Sequence, residues 1–282
     1  MLLRSIANKV IEKSFNSLQG TGIGRIPFVF RLGCRLIHLT GGKIYTTVDG
    51  QKMSAIITPQ GFLLYHWDGY EPNITKLFCS LIRDGMTVVD VGASIGYYTL
   101  LAAKRVGENG LVLAFEPDPY RFIALKENVE INGWKNTKIF RMALSDFEGE
   151  SHFQILSIGG SFAIIGDKKR DEIITVMTTK LDSLLKSIGV YDVDLIKIDA
   201  EGAEVRIFRG MKELLSKGNV KVICDVYPDL IPKVGGSISE LQSILKMHDY
   251  RIYIIESDSS LRYSDTLLSN SRKSYLFTRE EI

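Results

Sequence analysis

From residue 86 onward, apolar runs of about five residues alternate with stretches whose apolar positions recur every three or four residues. The runs at 86–91, 111–115, 137–141, 193–198, 220–226 and 250–255 predict strands, and the stretches at 96–106, 119–132, about 203–216 and 239–247 predict helices. Strand–helix alternation builds a mostly parallel sheet covered on both faces. The predicted fold class is therefore α/β, a Rossmann-like doubly wound sheet, with residues 274–277 as a last, antiparallel strand. Between 147 and 178 the alternation lapses into hairpin-like, Gly-rich sequence, which reads as an insertion or lid.

The front of the chain is organised differently. Leu3, Ile6, Ala7, Val10, Ile11 and Leu18 fall at helical spacing over residues 2–18, and Gly20, Gly22 and Gly24 then break the chain. A second helix is expected over 27–39, ended by Gly41-Gly42, and residues 43–59 read as a hairpin with Asp49-Gly50 at its turn. This gives a helical and hairpin extension at 1–65 and a main domain at 66–282. The section up to residue 76 carries nine Lys or Arg against four Asp or Glu. A solvated helical face accounts for that bias; peripheral contact of residues 2–18 with anionic lipid is the alternative.

Composition narrows the partners. The net charge of the 282 residues is only +2, so no global field singles out nucleic acid. Cys34, Cys79 and Cys224 are far apart and form no CxxC pair, which fits a reducing compartment. Arg4, Lys9, Glu12 and Lys13 interrupt any apolar run before it reaches signal-peptide length, and no stretch approaches the roughly 18 apolar residues of a membrane span. A cytoplasmic protein is the expectation.

The chemistry concentrates after the first strand, in Asp90-Val91-Gly92-Ala93-Ser94-Ile95-Gly96-Tyr97. In open parallel sheets ligands sit beyond the carboxyl ends of the strands, at the point where strand order reverses. A dinucleotide fingerprint reads GxGxxG and sets a pyrophosphate on a helix N-terminus. Here the spacing is DxGxxxG. A carboxylate at the turn repels a pyrophosphate and suits a ligand with a positive amino group, such as the methionine part of S-adenosylmethionine. Gly92 and Gly96 lack the Cβ that would keep backbone from ligand, and Ala93, Ser94 and Tyr97 share the turn. Glu116, 20 residues beyond Gly96 at the tip of the second strand, is placed to accept hydrogen bonds from ribose hydroxyls, with Pro117 fixing its turn. Ala143 and Ser145, after the third strand, are candidates to bracket an adenine. Glu71, in a polar and aromatic cluster ahead of the domain, is a candidate to fold over the cofactor. Singly, Asp90 reads as a turn acid, Glu116 as a surface carboxylate and the glycines as turn residues; their order and spacing together favour a cofactor.

Val89-Asp90-Val91-Gly92-Ala93-Ser94-Ile95-Gly96-Tyr97-Tyr98, Phe115-Glu116-Pro117, Glu127-Asn128-Val129 with Asn132, Lys180-Leu181-Asp182, and Lys197-Ile198-Asp199-Ala200-Glu201-Gly202-Ala203-Glu204 together resemble the FkbM family of methyltransferases. The resemblance covers about residues 70–230, and its last segment is the most family-specific. It implies a class I methyltransferase fold, S-adenosylmethionine as donor, and O-methylation of a hydroxyl on sugars, polyketides or other secondary metabolites. The family leads one to expect a Glu and a His after the fifth strand. This chain has Cys224-Asp225-Val226-Tyr227-Pro228 there, so no catalytic role is assigned to that turn.

An aliphatic hydroxyl attacks a methyl carbon well only as its proton leaves, so a base within hydrogen-bond reach is expected. Asp199, nearest the tip of the fourth strand, and Glu201 are the candidates. Lys197 shares a face with Asp199 and is the third catalytic candidate, pairing with a carboxylate or orienting the acceptor. Glu204 reads as a helix-opening acid. No metal is assigned, although Asp199, Glu201 and Asp225 carry oxygen chemistry suited to magnesium or calcium. The acceptor is expected to be a small molecule or glycan. The rival readings are a non-catalytic module for nucleosides or nucleotide-sugars and an NAD-dependent oxidoreductase, the latter disfavoured by Asp90 and the missing GxGxxG. Nucleic-acid methylation lacks its Asn/Asp-Pro-Pro-aromatic tetrapeptide.

Overall fold

The computed structural model describes residues 45–54, 70–155, 161–162 and 172–282. The helices expected at 2–18 and 27–39, with His38, His66 and much of 156–171, lie outside the described residues. The expected hairpin is present as β1 (Tyr45–Val48) and β2 (Gln51–Ser54), and its turn residues Asp49 and Gly50 both take positive φ, 52° and 79°. It docks through Gln51, whose Nε2 donates to the Leu100 carbonyl at 2.8 Å while its Oε1 accepts from Trp134 Nε1 at 2.6 Å. A helix not expected from the sequence, α1 (Pro72–Leu81), follows and buries Ile74, Leu77 and Phe78.

The alternation then unfolds as predicted: β3 (Thr87–Val91), α2 (Tyr97–Val106), β4 (Leu111–Phe115), α3 (Pro119–Ile131) and β5 (Thr137–Phe140). The lapse in the pattern is a second, four-stranded sheet. In it β6 (Ala143–Leu144) runs parallel to β9 (Glu172–Thr179), which pairs antiparallel with β7 (Gly149–Ile155), itself paired to β8 (Ser161–Phe162). After α4 (Leu181–Ser187) comes β10 (Leu195–Ile198). The single helix expected over 203–216 is two, α5 (Glu204–Arg209) and α6 (Lys212–Lys217). They part at Gly210, where a Cβ would lie 2.0 Å from the Ser145 carbonyl oxygen. The chain closes with β11 (Lys221–Val226), α7 (Ile238–Met247), β12 (Arg251–Ile255), β13 (Leu261–Ser264) and β14 (Lys273–Thr278).

The main sheet runs β13-β12-β14-β11-β10-β3-β4-β5. Strands β5 to β11 are parallel, and β14 slots antiparallel between β11 and β12, burying Tyr275, Leu276 and Phe277. The chain steps outward from β3 through β4 to β5, then restarts at β10 on the other side of β3. The switch point thus lies between β3 and β10, with Val91 beside Ile198. Both faces are buried: Val89, Leu113 and Ile196 face one helical layer, and Val88, Val112 and Leu195 face the layer containing α1 and α2. By strand alternation, Asp90, Lys197 and Asp225 fall on that second face, near the carboxyl ends of three neighbouring strands. Among the described residues no helix is long and apolar enough to cross a membrane.

Candidate functional site

The turn after β3 is held open by three residues at positive φ: Gly92 (78°), Ser94 (51°) and Gly96 (97°). Backbone N–H groups of Gly92 and Ala93 donate to the Phe115 carbonyl at 3.0 and 2.9 Å, which ties the loop to β4. The packing gives the glycines a second reason. A Cβ on Gly92 would lie 2.0 Å from the Asp199 carbonyl oxygen, and one on Gly96 would lie 2.8 Å from Leu125 Cδ1. Gly92 is therefore the point where the glycine loop touches the segment leaving β10, and Gly96 the point where α3 closes over it.

Glu116 binds this loop rather than projecting to the surface. It is 3% exposed; Oε2 accepts from Ser94 N at 2.8 Å and Oε1 from Asp118 N at 2.9 Å. Burial pushes its carboxyl up to about 7. Asp90 lies inside β3, fully enclosed, with Oδ2 accepting from the Thr99 hydroxyl at 2.6 Å; burial pushes it up to about 6. Pro117 is half-buried ahead of Asp118, which caps α3 by accepting from Tyr120 N and Arg121 N. Tyr97 is buried against Tyr70 and Tyr98. Ala143 is half-buried in β6, and Ser145 is buried with its N–H on the Thr179 carbonyl at 2.9 Å.

Across the switch point the groups are ionic. Lys197, 1% exposed, donates to Asp225 Oδ2 at 2.7 Å, and its ammonium lies 5.0 Å from the centre of the Tyr98 ring. Burial opposes its charge, but Asp225, Asp199 and Glu71 outweigh it and hold the amine above the ordinary lysine value. Asp225 is likewise opposed by burial, yet Lys197 and Arg272 keep it below the usual carboxylate range. The Ser274 hydroxyl donates to Asp225 Oδ1. Arg272 reaches Glu71 Oε1 at 3.1 Å and Asp225 Oδ2 at 3.8 Å, and Tyr98 donates its hydroxyl to Glu71 Oε2 at 2.9 Å. Burial first, then the charge of Asp225, raise Glu71. Asp199 is half-buried at the end of this network, with Oδ1 accepting from the Tyr227 hydroxyl at 2.8 Å.

Carboxylate oxygens of Glu71, Asp199 and Asp225 lie within 4.8 Å of one another. Lys197 and Arg272 pair with Asp225 and Glu71 inside this cluster. Glu201 is half-buried in the turn after β10, at φ 45°. Glu204, fully buried at the start of α5, accepts from Gly202 N at 2.9 Å, and burial pushes it up to about 8. The structure thus brings together Asp90, the glycine loop and Glu116 on one side of the switch point, and Glu71, Lys197 and Asp199 on the other. Tyr98, from the end of the glycine-loop motif, joins this network, as do Tyr227, Arg272 and Ser274, which no local motif marked.

The sequence profile of the methyltransferase FkbM domain matches residues 90–252, from the acid of the first strand to β12. The chain belongs to this family. The strand order, with its antiparallel β14, is the class I methyltransferase arrangement, and the methyl donor is S-adenosyl-L-methionine. The residues present are of the chemical type such a donor requires, since a buried carboxylate at each of Asp90 and Glu116 can meet hydroxyls or positive charge. Hexuronic acid methyltransferase AglP of Haloferax volcanii is 28% identical over 166 residues, covering 58% of this chain and 65% of that protein, so just under two thirds of its length is spanned. The 31-O-demethyl-FK506 methyltransferase FkbM of Streptomyces tacrolimicus is 23% identical, covering 63% of this chain and 76% of that protein. A crystal structure of methyltransferase FkbM from Methylobacillus flagellatus is 14% identical with a TM-score of 0.44, covering 78% of this chain and 53% of that one.

Proposed function

We propose that this methyltransferase O-methylates a hydroxyl of a sugar, glycan or secondary metabolite, with Asp199 as the base. The observation that carries this reading is the contact at Gly92, where the missing Cβ admits the Asp199 carbonyl. It joins the donor loop to the one acid at the tip of β10. The hexuronic acid and FK506-precursor acceptors in the names of the two relatives support a polyol or polyketide hydroxyl.

When bound, S-adenosyl-L-methionine supplies a methyl carbon whose departure from sulfur leaves a neutral thioether. Glu116 takes the ribose hydroxyls, with Gly92, Ala93, Ser94, Gly96, Tyr97 and Pro117 shaping the loop around them. Ala143 and Ser145 bound the adenine side. Asp90 and Glu71 face the cationic amino-acid end. Asp199 accepts the proton of the acceptor hydroxyl as its oxygen bonds to the methyl carbon. Lys197 is too deeply paired with Asp225 to exchange protons, so its part is to fix the network around Asp199. Glu201 holds the turn that follows. Alignment and exclusion of water supply the rest of the rate.

Incubation with methyl-labelled donor and a panel of uronic acids, neutral sugars and polyketide alcohols tests this reading. Label recovered as a base-stable methyl ether supports it. Label recovered as a base-labile ester or on nitrogen, or binding of donor with no transfer to any acceptor, contradicts it.

A further inference from the structure

Tyr227 is not part of any motif that defines the donor site. It stands where the family resemblance led one to expect a different residue, in the turn after β11. Its backbone carbonyl accepts from Leu230 N and Ile231 N, both at 3.0 Å, which pins the start of that turn. Its ring lies under the Arg272 guanidinium, 4.6 Å from centre to Cζ, and Arg272 is anchored in turn by Glu71. Both ends of the side chain are thus constrained, and its hydroxyl is aimed at Asp199 Oδ1 at 2.8 Å.

Resting on the assignment of Asp199 as base, we propose that Tyr227 is a positioning residue for this reaction: its hydroxyl occupies Oδ1 and orients the carboxylate toward the acceptor through Oδ2. A phenol serves here because it stays protonated. Burial first, and then the charge of Asp199, raise Tyr227 well above the ordinary tyrosine value. It remains a donor over the whole working range of pH. A residue that only filled space would gain nothing from the oxygen, and phenylalanine would replace it. The charged and titratable groups that face Asp199 from the surrounding elements are Glu71, Asp90, Lys197, Glu204, Cys224, Asp225 and Arg272. Only Tyr227 reaches it through a side-chain hydrogen bond among the contacts described, so a change confined to the phenol oxygen acts on Asp199 alone.

The test is the pH profile of kcat/KM in Tyr227→Phe and in Tyr227→3-fluorotyrosine, beside Asp199→Asn, in the full chain with saturating donor. In Tyr227→Phe, kcat is expected to fall about tenfold, donor affinity to hold, and the acidic limb to move up by about one pH unit, because a donor to the charged form is lost. In Tyr227→3-fluorotyrosine, which keeps the hydroxyl and strengthens it as a donor, the limb moves down. Limbs that stay in place in both variants, while Asp199→Asn is inactive, overturn the positioning role and leave the base assignment standing. An active Asp199→Asn overturns the base assignment itself, and the inference with it. The fluorinated variant keeps the test decisive if Tyr227→Phe folds poorly.

Discussion

The two sides of the switch point handle buried acid in opposite ways. On the donor side, Asp90 and Glu116 are enclosed against a hydroxyl and backbone N–H groups, and burial pushes them up to about 6 and about 7. On the acceptor side, Asp225 is equally enclosed but sits against Lys197 and Arg272, which hold it below the ordinary range. The first pair is poised to gain from a ligand that brings hydroxyls or positive charge. The second is compensated before any ligand arrives, and so acts as a rigid frame for Asp199. A carboxylate's place at a strand end therefore does not define its task; the company it keeps does.

The comparison breaks most visibly at Lys197. Lys197→Met removes one partner of a buried pair and leaves Asp225 charged in a closed space. Stability should drop by about 3–5 kcal/mol, read as a lowered denaturant midpoint. A change below about 1 kcal/mol would mean that Arg272 and Ser274 suffice and that the frame is not set by Lys197.

The donor side is probed by Glu116→Ala. It loses an acceptor for ribose hydroxyls and frees the Ser94 N–H. Calorimetry should find donor affinity weakened about 10- to 100-fold, the worth of one hydrogen bond to a charged group, with the fold retained. Unchanged affinity would place the ribose elsewhere.

A pH trend at Glu204 offers a further probe of buried acid. Its folded value of about 8 lies above the ordinary 4.5, so the native state binds its proton more tightly than the unfolded chain. Stability contributed by that proton is present at low pH and is lost as pH rises from about 4.5 to about 8. Glu204→Gln cannot titrate, so its melting temperature relative to the parent should climb over that window and level off above it. Each kcal/mol corresponds to roughly 2–4 °C. A flat difference would mean that Glu204 is charged in the folded protein.

The same contrast explains what was legible in the sequence. The donor side is written in two short stretches, 89–98 and 115–117, because each strand-to-helix turn draws its residues from consecutive positions. The parallel strands and most helices were readable for the same reason, as local periodicity. The ionic network across the switch point is assembled from Glu71, Lys197, Asp199, Asp225, Tyr227 and Arg272, which meet only because β14 inserts beside β11 and α1 enters from the opposite end of the chain. No spacing rule connects residues 71 and 272. The division of the helix at Gly210 was hidden likewise, since its cause is a carbonyl 65 residues away in sequence. The extra helix α1 was missed because it opens on Glu71 at φ 45°, a start that no ordinary N-cap signals.

The central claim is that the acid joined to the donor loop at Gly92 takes the acceptor's proton, and Asp199→Asn addresses it in one paired measurement. S-adenosylhomocysteine affinity by calorimetry and methyl transfer by mass spectrometry should be taken on the same preparation. The account predicts affinity within about twofold of the parent and transfer reduced by about 10²- to 10⁴-fold. Transfer at the parental rate with unchanged affinity would contradict it.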